Sequence, residues 1–123
     1  MKQKFKMLCV DDEEELRKSL HQQFSNEDFI VDTAESGPKA LEKIKANDYD
    51  IVLLDLKMPN NMEGMEVLKE MKNIGKLTNV IMLTGVDDVN IALECVKIGA
   101  RDFVSKPYDP EELLLIVNRV LGA

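Results

Sequence analysis

A chain of 123 residues, 45% hydrophobic and 32% charged, is long enough to fold as one domain around a buried core. Its net charge of −7 argues against direct binding of nucleic acid by this domain, because nothing here would neutralise backbone phosphates. No apolar run approaches the roughly 18 residues that span a bilayer, so no membrane association is expected.

The opening Met1-Lys2-Gln3-Lys4 leads into a strand-like run with no small-residue cleavage site, unlike a signal peptide. The first strand, Lys4 to Val10, stops at Asp11-Asp12. A helix over Glu13 to Asn26 follows, with Leu16, Leu20 and Phe24 at helical spacing. Ile30 to Ala34 reads as the second strand, and Ser36-Gly37-Pro38 is a start signal for a helix carrying Ala40, Leu41 and Ile44. Ile51-Val52-Leu53-Leu54 is the clearest strand, ending at Asp55. Beyond a loop with Pro59 and Gly64 comes a helix with Val67, Leu68 and Met71. Val80 to Leu83 is another apolar strand, ending at Thr84-Gly85. Asp87-Asp88 can cap the next helix, which carries Ile91, Ala92, Cys95 and Val96 and ends at Gly99. Asp102 to Ser105 is the last strand, and Pro110 opens the last helix, which runs to Leu121.

Strands apolar at every position mark a parallel sheet covered on both faces. Five strand–helix units predict an α/β, doubly wound, five-stranded parallel sheet with five helices and the flavodoxin-like order 2-1-3-4-5. With no Gly/Ser linker, repeat or low-complexity tract, residues 1–123 are expected to form one compact unit without an output domain. Cys9 and Cys95 sit inside apolar stretches and read as reduced, buried thiols of a cytoplasmic protein.

Such folds carry their chemistry beyond the carboxyl ends of the strands. Asp11-Asp12, Asp55, Thr84 and Lys106 all fall there. Carboxylates so close repel by several kcal/mol unless one protonates or a cation sits between them. Oxygen ligands with room for water suit Mg²⁺ (or Mn²⁺) better than zinc. A metal-bound carboxylate beside a lysine and a hydroxyl suits phosphoryl transfer, where catalysis is mainly positioning and charge neutralisation. Asp55 can be the nucleophile that forms an aspartyl phosphate, with one phosphoryl oxygen on the metal, one on Lys106 and one on Thr84.

Each residue alone has an ordinary reading. Asp11 to Glu15 could be an acidic first turn, Asp55 a cap, Thr84 a strand end, Lys106 a solvated lysine and Phe103 plain core. Their conjunction at one sheet edge decides against that. Asp11-Asp12, Asp55 with Met58-Pro59, Thr84 and Lys106-Pro107 resemble the response-regulator receiver domains of two-component signalling, the CheY-like superfamily, in identity, order and spacing across essentially the whole chain.

The resemblance implies a signalling domain that catalyses only its own phosphorylation and dephosphorylation. Asp55 would be the phosphoacceptor, served by a sensor histidine kinase or a histidine phosphotransfer protein. Asp12 and Asp55 would bind the metal directly, Asp11 largely through water, and Lys57 through its backbone carbonyl. Thr84 and Phe103 would form the switch, and the Lys106–Pro107 peptide bond would be cis. Lys57 and Val86 would border the approach of a hydrolytic water, and neither offers a base.

Two departures from the family pattern stand out. Four residues, Asn60 to Glu63, separate Pro59 from Gly64 where the pattern has three. The last helix holds five successive apolar residues, Leu113 to Val117, more than one stripe can bury. A homodimer through helix four, strand five and helix five is implied by the family. Asp102 and Glu112 match its charged pairs, but Ile116 stands where an arginine is expected, which favours a more apolar contact. His21 reads as a surface histidine, and the methionines at 58, 62, 65 and 71 as gap-fillers.

Two rivals share the fold class. A flavodoxin-like ligand binder would need a Ser/Thr/Gly-rich loop after the first strand, where this chain has Asp11-Asp12-Glu13-Glu14-Glu15. An aspartate-nucleophile phosphatase would want a second aspartate at position 57, which is lysine.

Overall fold

The structure, a computed structural model, describes residues 4–58 and 62–122. Pro59 and the extra residue before Gly64, if it is Asn60 or Asn61, lie outside the described residues, as does the start of the chain. Strands β1 (Phe5–Val10), β2 (Phe29–Ala34), β3 (Ile51–Asp55), β4 (Asn79–Thr84) and β5 (Asp102–Ser105) pair in parallel in the order β2-β1-β3-β4-β5. Helices α1 (Glu14–Ser25), α2 (Gly37–Ala46), α3 (Gly64–Asn73), α4 (Val89–Ile98) and α5 (Pro110–Leu121) alternate with them. This is the doubly wound arrangement that the apolar strands predict.

The period-two alternation of the strands divides the core in two. Leu8, Val10, Val52, Leu54, Val80 and Met82 point to one face and pack with Ala40, Leu68 and Cys95 of α2, α3 and α4. Met7, Cys9, Ile51, Leu53, Ile81 and Leu83 point to the other and meet Leu20 and Phe24 of α1 and Leu113 and Val117 of α5. Both cysteines are buried and unpaired with each other, and burial pushes both thiols above their ordinary pKa. In α5 the five-residue apolar run divides as its length requires, with Leu113 and Val117 buried and Leu115 70% exposed.

Two helix starts follow their sequence signals. Ser36 Oγ accepts from the Lys39 amide at 3.3 Å, and Asp109 Oδ1 from the Glu111 amide at 3.1 Å, each beside a proline in the first turn. Gly99, at φ 144°, ends α4. The start of α4 departs from expectation. A 3-10 turn (Val86–Asp88) precedes it, and Asp88 stands at the cap position without accepting a bond from the helix. Its ψ of 17° is not the extended conformation that a capping side chain needs.

Gly64 fixes where α3 begins relative to the sheet edge. Its amide donates to the Leu56 carbonyl at 2.9 Å, and a β-carbon at this position would collide with the carbonyl oxygen of Asp55. Gly64→Ala is therefore expected to destabilise the fold by about 1–3 kcal/mol, read as a lowered urea midpoint. An unchanged midpoint would show that the loop yields freely.

Candidate functional site

Parallel register determines which side chains meet at the carboxyl edge. Val10 lies opposite Leu54, so Asp11 follows one strand where Asp55 ends its neighbour. Thr84 ends β4, and the Lys106 amide donates to the Thr84 carbonyl at 2.7 Å, which carries the chain past β5 beside the same edge. The Lys106–Pro107 peptide bond is cis. Asp11 and Thr84 are almost wholly buried and Asp55 is 5% exposed, whereas Asp12 faces solvent.

Lys106 reaches into this edge. Its Nζ lies 2.8 Å from Asp11 Oδ2 and 3.4 Å from Asp55 Oδ2. Burial alone would lower the pKa of this ammonium, but its hydrogen bond to Asp11 and the fields of Asp55 and Asp11 outweigh that and raise it. Asp11 is engaged at both oxygens, since Oδ1 also accepts from the Glu13 amide at 2.9 Å. Asp55 is less well served. Burial, then the Asp11 charge, push its carboxyl up to about 7 against the opposing pull of Lys106.

Asp11, Asp12 and Asp55 each bring one oxygen to within 4.8 Å of the others. An oxygen-only set of this kind, with two acids buried and Asp12 open to solvent, fits a small hard divalent cation, which would offset the burial and the Asp11 charge that raise Asp55. Thr84 Oγ1 donates to the Gly85 carbonyl at 3.1 Å. Phe103 is half-buried, packs at the margin of the α2-α3-α4 core, and lines a groove of about 330 Å³ with Pro107, Tyr108 and Ile116. The Lys57 side chain is exposed, with Nζ 3.8 Å from Asp88 Oδ1.

Two contacts had no advance signal. Arg17 donates from its guanidinium to the Asp11 carbonyl at 2.8 Å, tying α1 to the acidic loop. Asp88 turns its carboxylate toward Lys57 instead of toward α4. Arg17 carries a common helix-surface charge that no motif distinguishes from a solvated one, and the signal at Asp88 was that of a helix cap, not of an ion pair.

A buried pair of acids, a lysine and a threonine at one edge of a 2-1-3-4-5 sheet define a class, and comparison with known proteins agrees. Residues 7–118 match the response regulator receiver domain. The chain is 40% identical over 116 residues to the regulatory protein AtoC of Escherichia coli, covering 94% of this chain and 25% of that one. It is 32% identical to the chemotaxis protein CheY of Bacillus subtilis, covering 95% of this chain and 98% of that one. The receiver domain of the Francisella response regulator 1452 superposes with a TM-score of 0.88 at 29% identity, over 96% of this chain and 97% of that one. The chain belongs to the response regulator receiver domain family, whose members are signalling domains. It spans about half the length of the transcriptional regulatory protein ResD of Bacillus subtilis, 48%, and a quarter of AtoC. Among the described residues, no helix is long and apolar enough to cross a membrane.

The raised Asp55 pKa links stability to pH. The folded state holds the Asp55 proton up to about 7, whereas the unfolded chain releases it near 3.8. Between those values the folded state binds more protons, so stability from this group is complete below the lower one and lost as pH rises through the upper. Without divalent cations, Asp55→Asn should therefore stabilise the domain by about 1–3 kcal/mol at pH 8 and much less at pH 4.5. Urea unfolding at both values tests this, and an equal effect at both would refute the buried-charge account.

Proposed function

We propose that this chain accepts a phosphoryl group from a phosphohistidine onto Asp55 and relays that event through its surface. The observation that carries the reading is the placement of Lys106 Nζ within reach of both Asp11 and Asp55, beside a third carboxylate. In the transfer, an Asp55 oxygen bonds to phosphorus as the phosphorus–nitrogen bond to the donor breaks, and the histidine leaves with the bonding pair and takes up a proton. Lys106 neutralises one phosphoryl oxygen, and Thr84 turns its hydroxyl from the Gly85 carbonyl to another.

Asp12, Asp55 and the Lys57 carbonyl would hold Mg²⁺ or Mn²⁺, with Asp11 acting through water. When bound, the ion supplies positive charge for a phosphoryl oxygen and for the crowded carboxylates. The donor would be a sensor histidine kinase or a histidine phosphotransfer protein in the cytoplasm, and any DNA-binding output would belong to a further domain. The names of the relatives, regulatory protein and chemotaxis protein, are in keeping with this.

The readout would be the face of α4, β5 and α5. Movement of Thr84 toward the phosphoryl group would vacate space for Phe103 to turn inward. The same face is the candidate homodimer surface. Asp102 is engaged by Arg119 of its own chain at 2.8 Å and Ile116 replaces an arginine, which favours an apolar contact over an ion-paired one.

Beryllofluoride or a small phosphodonor with Mg²⁺ should modify one site, and Asp55→Asn should abolish the modification. Equal labelling of that variant would end the reading. Asp12→Ala should stay folded and lose Mg²⁺ affinity, and unchanged affinity would place the ion elsewhere.

Lifetime is a separate expectation. Val86 is 72% exposed and cannot orient a water, and Lys57 is a cation paired with Asp88, not a base. The phosphoryl group on the isolated domain should last minutes or longer, and Val86→Glu or Lys57→Asn should shorten that. A wild-type lifetime of seconds would count against it.

A further inference from the structure

Beside the acidic edge stands a charged pair to which the phosphoacceptor scheme gives no part in switching. Lys57 Nζ and Asp88 Oδ1 lie 3.8 Å apart and join the segment after β3 to the turn after β4. The Asp88 side chain is only 22% exposed, against 56% for Lys57, and its second oxygen lies over Gly85, 3.5 Å from where a β-carbon would stand. The pair therefore sits against the residue that follows Thr84.

Asp88 also occupies the cap position of α4, where aspartate is favoured because its carboxylate can accept from the second or third helical amide. It accepts from neither. The two helices that do have side-chain caps place Ser36 at ψ 165° and Asp109 at ψ 125°, whereas Asp88 is at 17°. That value belongs to the 3-10 turn, closed by the Asp88 amide on the Gly85 carbonyl at 3.1 Å. Capping α4 would require Asp88 to become extended, which turns its carboxylate toward the helix amides and away from Lys57. The carboxylate thus has two incompatible employments, a half-exposed ion pair and a helix cap, whose strengths are of the same order.

We propose that Asp88 is a two-position latch: it holds Lys57 at rest, and caps α4 when an anion on Asp55 draws Lys57 away. This rests on the phosphoacceptor reading. A phosphoryl group two residues from Lys57 carries nearly two negative charges and outcompetes a single carboxylate for the ammonium. Release of Asp88 lifts its second oxygen from over Gly85 and frees the Thr84-Gly85 segment to move. The first turn of α4 then gains the acceptor it lacks. Only an ion pair and hydrogen bonds exchange.

The amides of Asn90 and Ile91, which a capping Asp88 would engage, report the state directly by NMR on the whole chain. Lys57→Met alone, with no phosphodonor, should shift both downfield and slow their hydrogen exchange about fivefold, the effect of one added cap. Lys57→Met combined with Asp88→Ala should show neither change. Unmoved amides in Lys57→Met, or the same movement in the double variant, would overturn the latch. Wild type with beryllofluoride and Mg²⁺ should reproduce the Lys57→Met pattern. If the ligand binds at Asp55 while Asn90 and Ile91 stay unchanged, the latch is wrong and the acceptor stands. If it does not bind at all, the acceptor reading falls, and the trigger assigned to the latch falls with it.

Discussion

Two carboxylates buried side by side form the constraint around which this molecule is arranged. Parallel pairing of β1 with β3 leaves Asp11 and Asp55 no route apart, because Val10 and Leu54 are already register partners and the paired residues beneath them, Met7 to Cys9 and Ile51 to Leu53, are apolar and buried. At an effective dielectric of about 20, two unit charges about 4 Å apart repel by about 4 kcal/mol. The fold meets this with the Lys106 ammonium, brought from beyond the last strand, and with protonation of Asp55 up to about pH 7. A divalent cation in the same oxygen set would satisfy the demand more fully. Apolar residues at these positions would satisfy it too, and the carboxylates kept there instead are in keeping with the proposed phosphoacceptor role.

The edge is mechanically tied to the far side of the sheet. The Lys106 amide on the Thr84 carbonyl continues the β4–β5 ladder to its end, and Met82 lies opposite Phe103 in the same ladder. Thr84 and Phe103 therefore belong to one short stretch of paired backbone, with the groove lined by Phe103, Tyr108 and Ile116 immediately outside it. Coupling between site and surface needs no long pathway here. The distance is two residues of one strand pair, so in the proposed switch a change in the β4 end would reach the β5 side chains directly.

Much of this was legible beforehand because it depends on local pattern. Ile51 to Leu54 and Val80 to Leu83 admit only a doubly covered strand, and once the strands are parallel, Asp11, Asp12, Asp55, Thr84 and Lys106 must share an edge. The 3-10 turn was not legible. Asp87-Asp88 has the composition of a cap, and only the tertiary position of Lys57, thirty-one residues earlier in the chain, makes an ion pair compete with it. Arg17 escaped for a related reason: its partner is a backbone carbonyl, which carries no side-chain signature in the sequence. The split of Leu113 to Val117 between core and solvent was foreseeable from helical geometry alone.

The three acids are not equivalent, and their environments divide the labour among them. Asp11 is fully buried with both oxygens engaged, one by the Glu13 amide and one by Lys106, so it is fixed in orientation and has little freedom to react. Asp12 faces solvent, where a carboxylate keeps its hydration and can exchange water for a metal at little cost. Asp55 alone is buried, raised in basicity and only loosely held, at 3.4 Å from Lys106. A basic carboxylate is the better nucleophile once its proton is displaced, and the positive charge of a divalent cation, if held by this oxygen set, would favour that loss. On the proposed phosphoacceptor reading, reactivity at Asp55 would follow from what its neighbours already occupy: Asp11 takes the best donors, and the remaining acid would be the one to bond to phosphorus.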